Sequence, residues 1–412
     1  MPKLRFKRED GTDYPEWNSK SFSDTFSSLN NNTFSRNMLS ESGSVCNIHY
    51  GDIFVKYGEI CDVQKENIPK VNDHIDTGKY DLLQDGDIIL ADTAEDETVG
   101  KATEILNVGT ATVISGLHTM ACRPNYKFAP MYLGYYINSP TYHNQLLPFM
   151  QGIKVTSIGR KNISETSISF PCLEEQQKIA DFLSNVDEVI AQSEAEVANL
   201  QQQKKAAMQK IFSQEVRFKR EDGTDYPEWE EKKLAYCFEE RNTKQIPTDE
   251  APLMAFIAYK GVADKGDRYD RSYLVKTDGK KYKRTEYNDF IYSSNNLDVG
   301  SIGLNKYGTA VISVVYQVFK VKDTAIPDFI SALLQTPENM NKIIQYRQGC
   351  LYGQYKIYAN DFLSVITAIP CPEEQQKIAD FLATYDEAIS CAKQELDKWK
   401  ELKKGLLQQM FA

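Results

Sequence analysis

The chain has 412 residues, with 48 Lys and Arg against 58 Asp and Glu and a net charge of −10. That length holds two or three domains with proper cores, and the acidic balance argues against a chain that grips nucleic acid by bulk charge. No run of 18 apolar residues suggests a membrane span, MPKLRFKRED lacks the apolar stretch of a signal peptide, and eight cysteines without a CxxC pair point to a cytoplasmic protein with reduced thiols.

Arg5–Trp17 reads RFKREDGTDYPEW, and Arg217–Trp229 repeats it without a difference. EEQQKIADFL stands at Glu174–Leu183 and again at Glu373–Leu382. Between these blocks the chain shares almost nothing, so one frame is written twice around two unlike inserts. The expected segments are 1–170, containing repeat segment 5–17; 171–216; 217–369, containing repeat segment 217–229; and 370–412.

In the first insert, Asp85-Gly86-Asp87 is a turn feeding a buried strand through Ala91, followed by a strand at Ala111–Ser115 and a helix over Ala129–Asn138. A glycine-containing loop, Gln151–Lys161, precedes a last strand that runs into Pro171-Cys172. All four histidines (His49, His74, His118, His143) lie here without metal-pair spacing, which favours structural roles.

A long helix is expected from Glu174 to about 213, uninterrupted by Gly or Pro and opened by acidic residues that suit its positive end. Its seam recurs at 4-3 spacing: Ile179, Leu183, Val186, Ile190, Ser193, Val197, Leu200, Lys204, Ala207, Ile211. The same register recurs after the second insert: Ile378, Leu382, Tyr385, Ile389, Ala392, Leu396, Trp399, Lys403, Leu406, Met410. A 3.5-residue period sustained this long signals a coiled coil, and a lysine interrupts each seam at the matching place.

The second insert repeats the order of elements. Tyr287–Ser293 takes the role of Asp85–Ala91, though Asn288-Asp289 lacks the glycine. Strands at Val299–Gly303 and Thr309–Val318, a helix over Pro327–Gln335 and the loop Gln348–Lys356 follow. Residues 18–170 carry 12 basic against 17 acidic side chains, whereas residues 230–370 carry 19 against 17, with a local cluster at Lys276, Lys280, Lys281, Lys283 and Arg284. The expected fold is α+β: two such domains joined by two long antiparallel coiled-coil helices in a pseudo-twofold internal repeat. That symmetry predicts that the N-terminal stretch lies near Leu406–Phe411.

Catalytic signatures are missing. There is no P-loop, no DEAH-like box, no [DN]PPY or FxGxG of an adenine methyltransferase, and no GxSxG. The residues therefore suggest a binding protein, not an enzyme. On their own they leave open a scaffold whose inserts read peptides.

The tandem pattern resembles the specificity subunit of type I restriction–modification enzymes. It is carried by the P-C-x-E-E-Q-x-K-I-A-x-F-L helix block after each variable insert and by the G-D-I-[IL]-x turn and strand. The resemblance implies that each insert is a target-recognition domain for one half of a bipartite double-stranded DNA site. It implies that the helices set the spacer and dock two DNA adenine methyltransferase subunits, with restriction (translocase–nuclease) subunits joining outside. S-adenosylmethionine, ATP and Mg²⁺ would belong to those partners, with no cofactor or metal in this chain. Basic and amide or hydroxyl side chains on loops are the expected DNA contacts. In the first insert these are Thr93, Lys101, Lys154, Thr156, Ser157, Arg160 and Lys161. In the second they are Lys260, Arg268, Arg271, Ser294, Asn295, Asn296, Tyr352, Gln354, Tyr355 and Lys356.

Overall fold

The strand Ile88–Ala91 shows how the first unit is built, because all four residues are fully buried. Side chains alternate across a strand. Ile88 and Leu90 enter a core shared with Tyr132, Tyr136, Leu183 and Phe411, while Ile89 and Ala91 enter a second core with Ile53, Ile105 and Val113. The computed structural model describes residues 2–152, 155–264, 279–351 and 354–411. They form two compact units, one of Met1–Ala195 with Lys393–Ala412 and one of Glu196–Ala392.

In the first unit the central sheet runs Phe26–Ser28, Thr119–Pro124, Ile88–Ala91, Ala102–Leu106, Ile60–Asp62. In the second it runs Phe238–Glu240, Gln317–Val321, Phe290–Tyr292, Ile302–Leu304. The same alternation appears there: Phe290 and Tyr292 point to the core that holds Phe329 and Leu382, and Ile291 to the core that holds Met254 and Ile312. The missing glycine is compensated at Asn288, which takes φ 64 where Gly86 takes φ 87. Asparagine tolerates this left-handed region better than other side chains. Asp87 and Asp289 then play one role with different partners. Asp87 accepts the Gln84 amide and pairs with Arg123 from the neighbouring strand; Asp289 accepts the Glu286 amide and pairs with Arg241.

Four sequence expectations shift. The strand expected at Val299–Gly303 starts only at Ile302 and ends at Leu304, because Leu297–Val299 is a helical turn closed by Gly300 at φ 78. The helix expected from Ala129 starts at Tyr132, because Met131 adopts φ 70 and breaks helical geometry; it ends at Ile137. The second runs Pro327–Leu334. The expected strand Thr309–Val318 is two strands, Ala310–Ile312 and Gln317–Val321, separated by a turn in which the Tyr316 amide donates to Ser313 O. The apolar Val314 and Val315 that suggested continuity are exposed on that turn.

The long helices span Leu173–Phe212 and Pro372–Phe411. In the first unit the opening half of one lies antiparallel to the closing half of the other. Asp187 pairs with Lys403 and Glu194 with Lys400, so numbers rise on one helix as they fall on its neighbour. In the second unit Lys204 pairs with Asp386. Every seam position named above is buried or half-buried, while the positions between are mostly exposed. The fully buried members, such as Leu183 and Ile378, each contribute roughly 1.5–3 kcal/mol by leaving water. The amides of Lys3 and Leu4 both donate to Gln409 O, at 2.9 and 3.0 Å, which brings the N-terminal stretch to the end of the second long helix. No helix among the described residues is long and apolar enough to cross a membrane.

The repeated blocks are each other's partners. Arg5 clamps buried Glu175 through Nε and a terminal nitrogen at 3.0 and 2.7 Å; Arg217 clamps buried Glu374 at 3.2 and 2.9 Å. The same guanidinium donates to Tyr14 O and Pro15 O in one copy and to Tyr226 O and Pro227 O in the other. Lys178 and Lys377 donate to Lys7 O and Lys219 O, and Phe6 and Phe218 meet Phe182 and Phe381 edge-on. Gln176 donates to Pro171 O and accepts from the Ala129 amide; Gln375 donates to Pro370 O and accepts from the Ile326 amide. The identical residues thus hold each insert on its helix.

Candidate nucleic-acid interface

In the first unit, Thr156–Ser157 pairs antiparallel with Thr93–Ala94. This brings Thr93, Thr156 and Ser157 together from distant parts of the chain. The pairing is pinned by reciprocal backbone bonds between Gln151 and Ser157, at 3.0 and 2.8 Å, and by Ile158 N donating to Asp92 O. Gly152 is required at the bend: it takes φ 121, and a Cβ there would meet Val155 O at 1.9 Å. Thr93 Oγ1 donates to Asp92 Oδ1 at 2.8 Å, and exposed His118 lies 3.4 Å from the same carboxylate.

Arg160 and Lys161 open the next short helix, Arg160–Ser164, and both are exposed. The Arg160 guanidinium reaches Ser28 and donates to Asn31 Oδ1 at 3.0 Å, so it is held against the first strand of the sheet. Lys101 is not brought to this group: it is half-buried and its ammonium donates to Phe54 O. Lys154 lies outside the described residues.

In the second unit, the Ser293–Asn296 turn holds the strand Gln354–Lys356. Asn295 Oδ1 accepts the Tyr355 amide at 2.6 Å, and Ser294 Oγ accepts the Ile357 amide at 3.0 Å. Ser294 is buried, so it positions this strand and is not presented at the surface. Tyr355 and Lys356 are exposed, and the Lys356 ammonium sits 4.3 Å from the centre of the Tyr358 ring. Asn296 is exposed on the same turn, whereas Lys260 is exposed on the separate hairpin of Ala255–Ile257 with Gly261–Ala263. The Gln354 backbone pairs with Leu351. Arg268, Arg271 and Tyr352 lie outside the described residues.

These segments border an open polar groove of about 860 Å³ lined by Lys244, Lys283, Asn295, Gln317 and Lys356, among others. Lys283 stands in a basic cluster in the sequence, but that Lys244, Lys283 and Gln317 line one groove was not legible there, because only strand pairing assembles them. Lys244 stands directly opposite Lys283 across an antiparallel pair. Like charges so placed cost stability, and an anionic ligand would relieve that cost. Lys283 is buried and its ammonium donates to Gln317 Oε1 at 2.9 Å; burial lowers its pKa. No group of three or more His, Cys, Asp or Glu among the described residues has the geometry to hold a metal ion.

A family model described as "Type I restriction modification DNA specificity domain" matches residues 53–202 and 226–400. The putative type I restriction enzyme MjaX specificity subunit of Methanocaldococcus jannaschii is 24% identical over 371 residues, covering 85% of this chain and 81% of that one. Among solved structures, the type I restriction–modification S subunit from M. genitalium superposes with a TM-score of 0.52 at 13% identity, over 100% of this chain and 99% of that one. A second, from work on complex assembly and conformational transition of the type I R-M system, gives 0.60 at 16% identity, over 96% and 98%.

Proposed function

The chain belongs to the type I restriction–modification DNA specificity family, and we propose that its two units read the two halves of one asymmetric, interrupted DNA sequence. Members of this family are non-catalytic DNA-recognition subunits that work in a complex, and this chain is one of them. The observation that carries the half-site reading is the contrast between a shared frame and unlike faces. Arg5–Glu175 and Arg217–Glu374 hold the frame in the same way, whereas the outer surfaces are an antiparallel strand pair carrying Thr93, Thr156 and Ser157 in one unit and a lysine-lined groove in the other.

In this reading the segments 1–170 and 217–369 are the target-recognition domains, and 171–216 and 370–412 supply the spacer. The long helices dock two DNA adenine methyltransferase subunits, and restriction subunits join outside them. S-adenosylmethionine, ATP and Mg²⁺ are held by those partners, and no cofactor by this chain. Thr93, Thr156, Ser157, Arg160 and Lys161 serve one half-site; Asn295, Asn296, Tyr355 and Lys356, with Lys244, serve the other. Lysines there grip phosphates, while amides and hydroxyls read base edges.

Reconstitution with the methyltransferase tests this. Lys161→Ala and Lys356→Ala should each weaken methylation through one half-site only and lower the salt slope of binding by about one. Equal loss at both half-sites from either variant would contradict the assignment, as would methylation independent of this chain.

A further inference from the structure

The two copies of the frame are not equally filled. The helices Tyr132–Ile137 and Pro327–Leu334 occupy equivalent places. Ala129 and Ile326 bind the same glutamine of the repeated block, Tyr132 and Phe329 pack on Phe411 and Phe212, and Ser139 and Thr336 each cap the next helix. By that register Tyr135 of the first unit corresponds to Ala332 of the second.

Tyr135 is buried, and its hydroxyl donates to Asp187 Oδ2 at 2.7 Å. The Lys403 ammonium lies 5.6 Å from its ring centre and is held by Asp187 at 2.7 Å and Glu59 at 2.9 Å. The corresponding helix residues in the second unit are Asp386 and Lys204, paired at 2.6 Å. Among the described residues no ring lines the space beside them. A cavity of about 390 Å³ remains, lined by Lys204, Met208, Ser331, Ala332, Leu382 and Asp386 among others. The Asp386 side chain is 63% exposed where that of Asp187 is 33% exposed.

We propose that this cavity receives a tyrosine side chain from the protein that docks on the long helices, its hydroxyl on Asp386 and its ring beside Lys204. The proposal rests on the docking role given to the helices above. The first unit displays the chemistry: a phenol donating to a carboxylate makes a charge-assisted hydrogen bond, and an ammonium beside an aromatic face adds attraction. Met208, Leu382 and Ala332 offer an apolar wall for the ring. An acidic side chain would be repelled by Asp386, and phenylalanine would have no donor for it. A single aromatic anchor seated in a pocket is the usual centre of binding energy at protein interfaces. The two copies of the frame would then differ in how they hold a partner, since in the first unit the chain's own tyrosine has taken the place.

The test uses the full chain with p-cresol as probe, followed by NMR and calorimetry, and then the methyltransferase. Wild type should bind p-cresol about tenfold more tightly than toluene, the worth of one charge-assisted hydrogen bond. Ala332→Tyr should abolish p-cresol binding and reduce methyltransferase bound per chain. Asp386→Asn, which leaves the space open, should erase the preference over toluene. Equal binding of p-cresol and toluene by wild type would overturn the proposal, as would p-cresol binding that survives Ala332→Tyr. Unchanged methyltransferase stoichiometry in a folded Ala332→Tyr chain would overturn the partner as the source of the tyrosine. Failure of wild type itself to bind methyltransferase would instead overturn the docking role, and this assignment with it.

Discussion

The first arginine of each repeated block faces a carboxylate that has no contact with water. Glu175 and Glu374 are fully buried, and Arg5 and Arg217 supply their charge partners. Removing one member of such a pair strands a buried charge. Arg217→Met should therefore cost about 3–5 kcal/mol in chemical denaturation, and adding Glu374→Gln should recover part of the loss. Glu104 makes a different case. Its buried carboxylate accepts the amides of Met131 and Gly134 at 2.8 Å each, yet burial outweighs them and pushes its pKa up to about 7 from 4.5. A carboxyl raised on folding binds its proton more tightly in the folded state. Its contribution is complete below pH 4.5 and is lost as pH rises to about 7. Thermal melts between those limits should show a fall in wild type that Glu104→Gln flattens; an unchanged slope would assign the pH dependence elsewhere. At this scale the sequence was partly readable. The Arg5 and Arg217 blocks announced themselves by repetition, but nothing in the sequence shows that they meet Glu175 and Glu374, since partners so far apart are joined only by folding. Lys244, Lys283 and Gln317 escaped for the same reason.

The long helices were the most legible elements, because burial against a neighbouring helix imposes a period that local reading detects. The lysines that interrupt the seam looked like defects and are instead cross-helix ion pairs. Their surroundings differ enough to separate their effects. Lys403 is 14% exposed and bridges two carboxylates, so Lys403→Ala should cost roughly 2–3 kcal/mol. Lys204 faces the largely exposed Asp386, so Lys204→Ala should cost under about 1 kcal/mol. Denaturation of the two variants side by side checks the contrast; equal costs would mean that Glu59 and Tyr135 add nothing. The inserts were less legible. The turn at Ser313–Tyr316 hides in an apolar run, and the late helix start at Tyr132 follows from the left-handed backbone of Met131, which no periodicity reports.

For the whole molecule, the identical blocks make the same arginine, lysine and phenylalanine contacts while the faces they carry diverge. A duplicated frame with divergent faces suits two unlike readers. One heptad added to both helices lengthens them by about 10 Å, which is roughly three base pairs of DNA. The most direct measurement is a genome-wide map of methylated adenines in cells carrying either the natural chain or the chain with one extra heptad in each helix. The account predicts one asymmetric interrupted motif for the natural chain, and the same two half-sites separated by about three more base pairs for the lengthened one. An unchanged spacer in the lengthened chain, or a motif without two distinct halves, would contradict it.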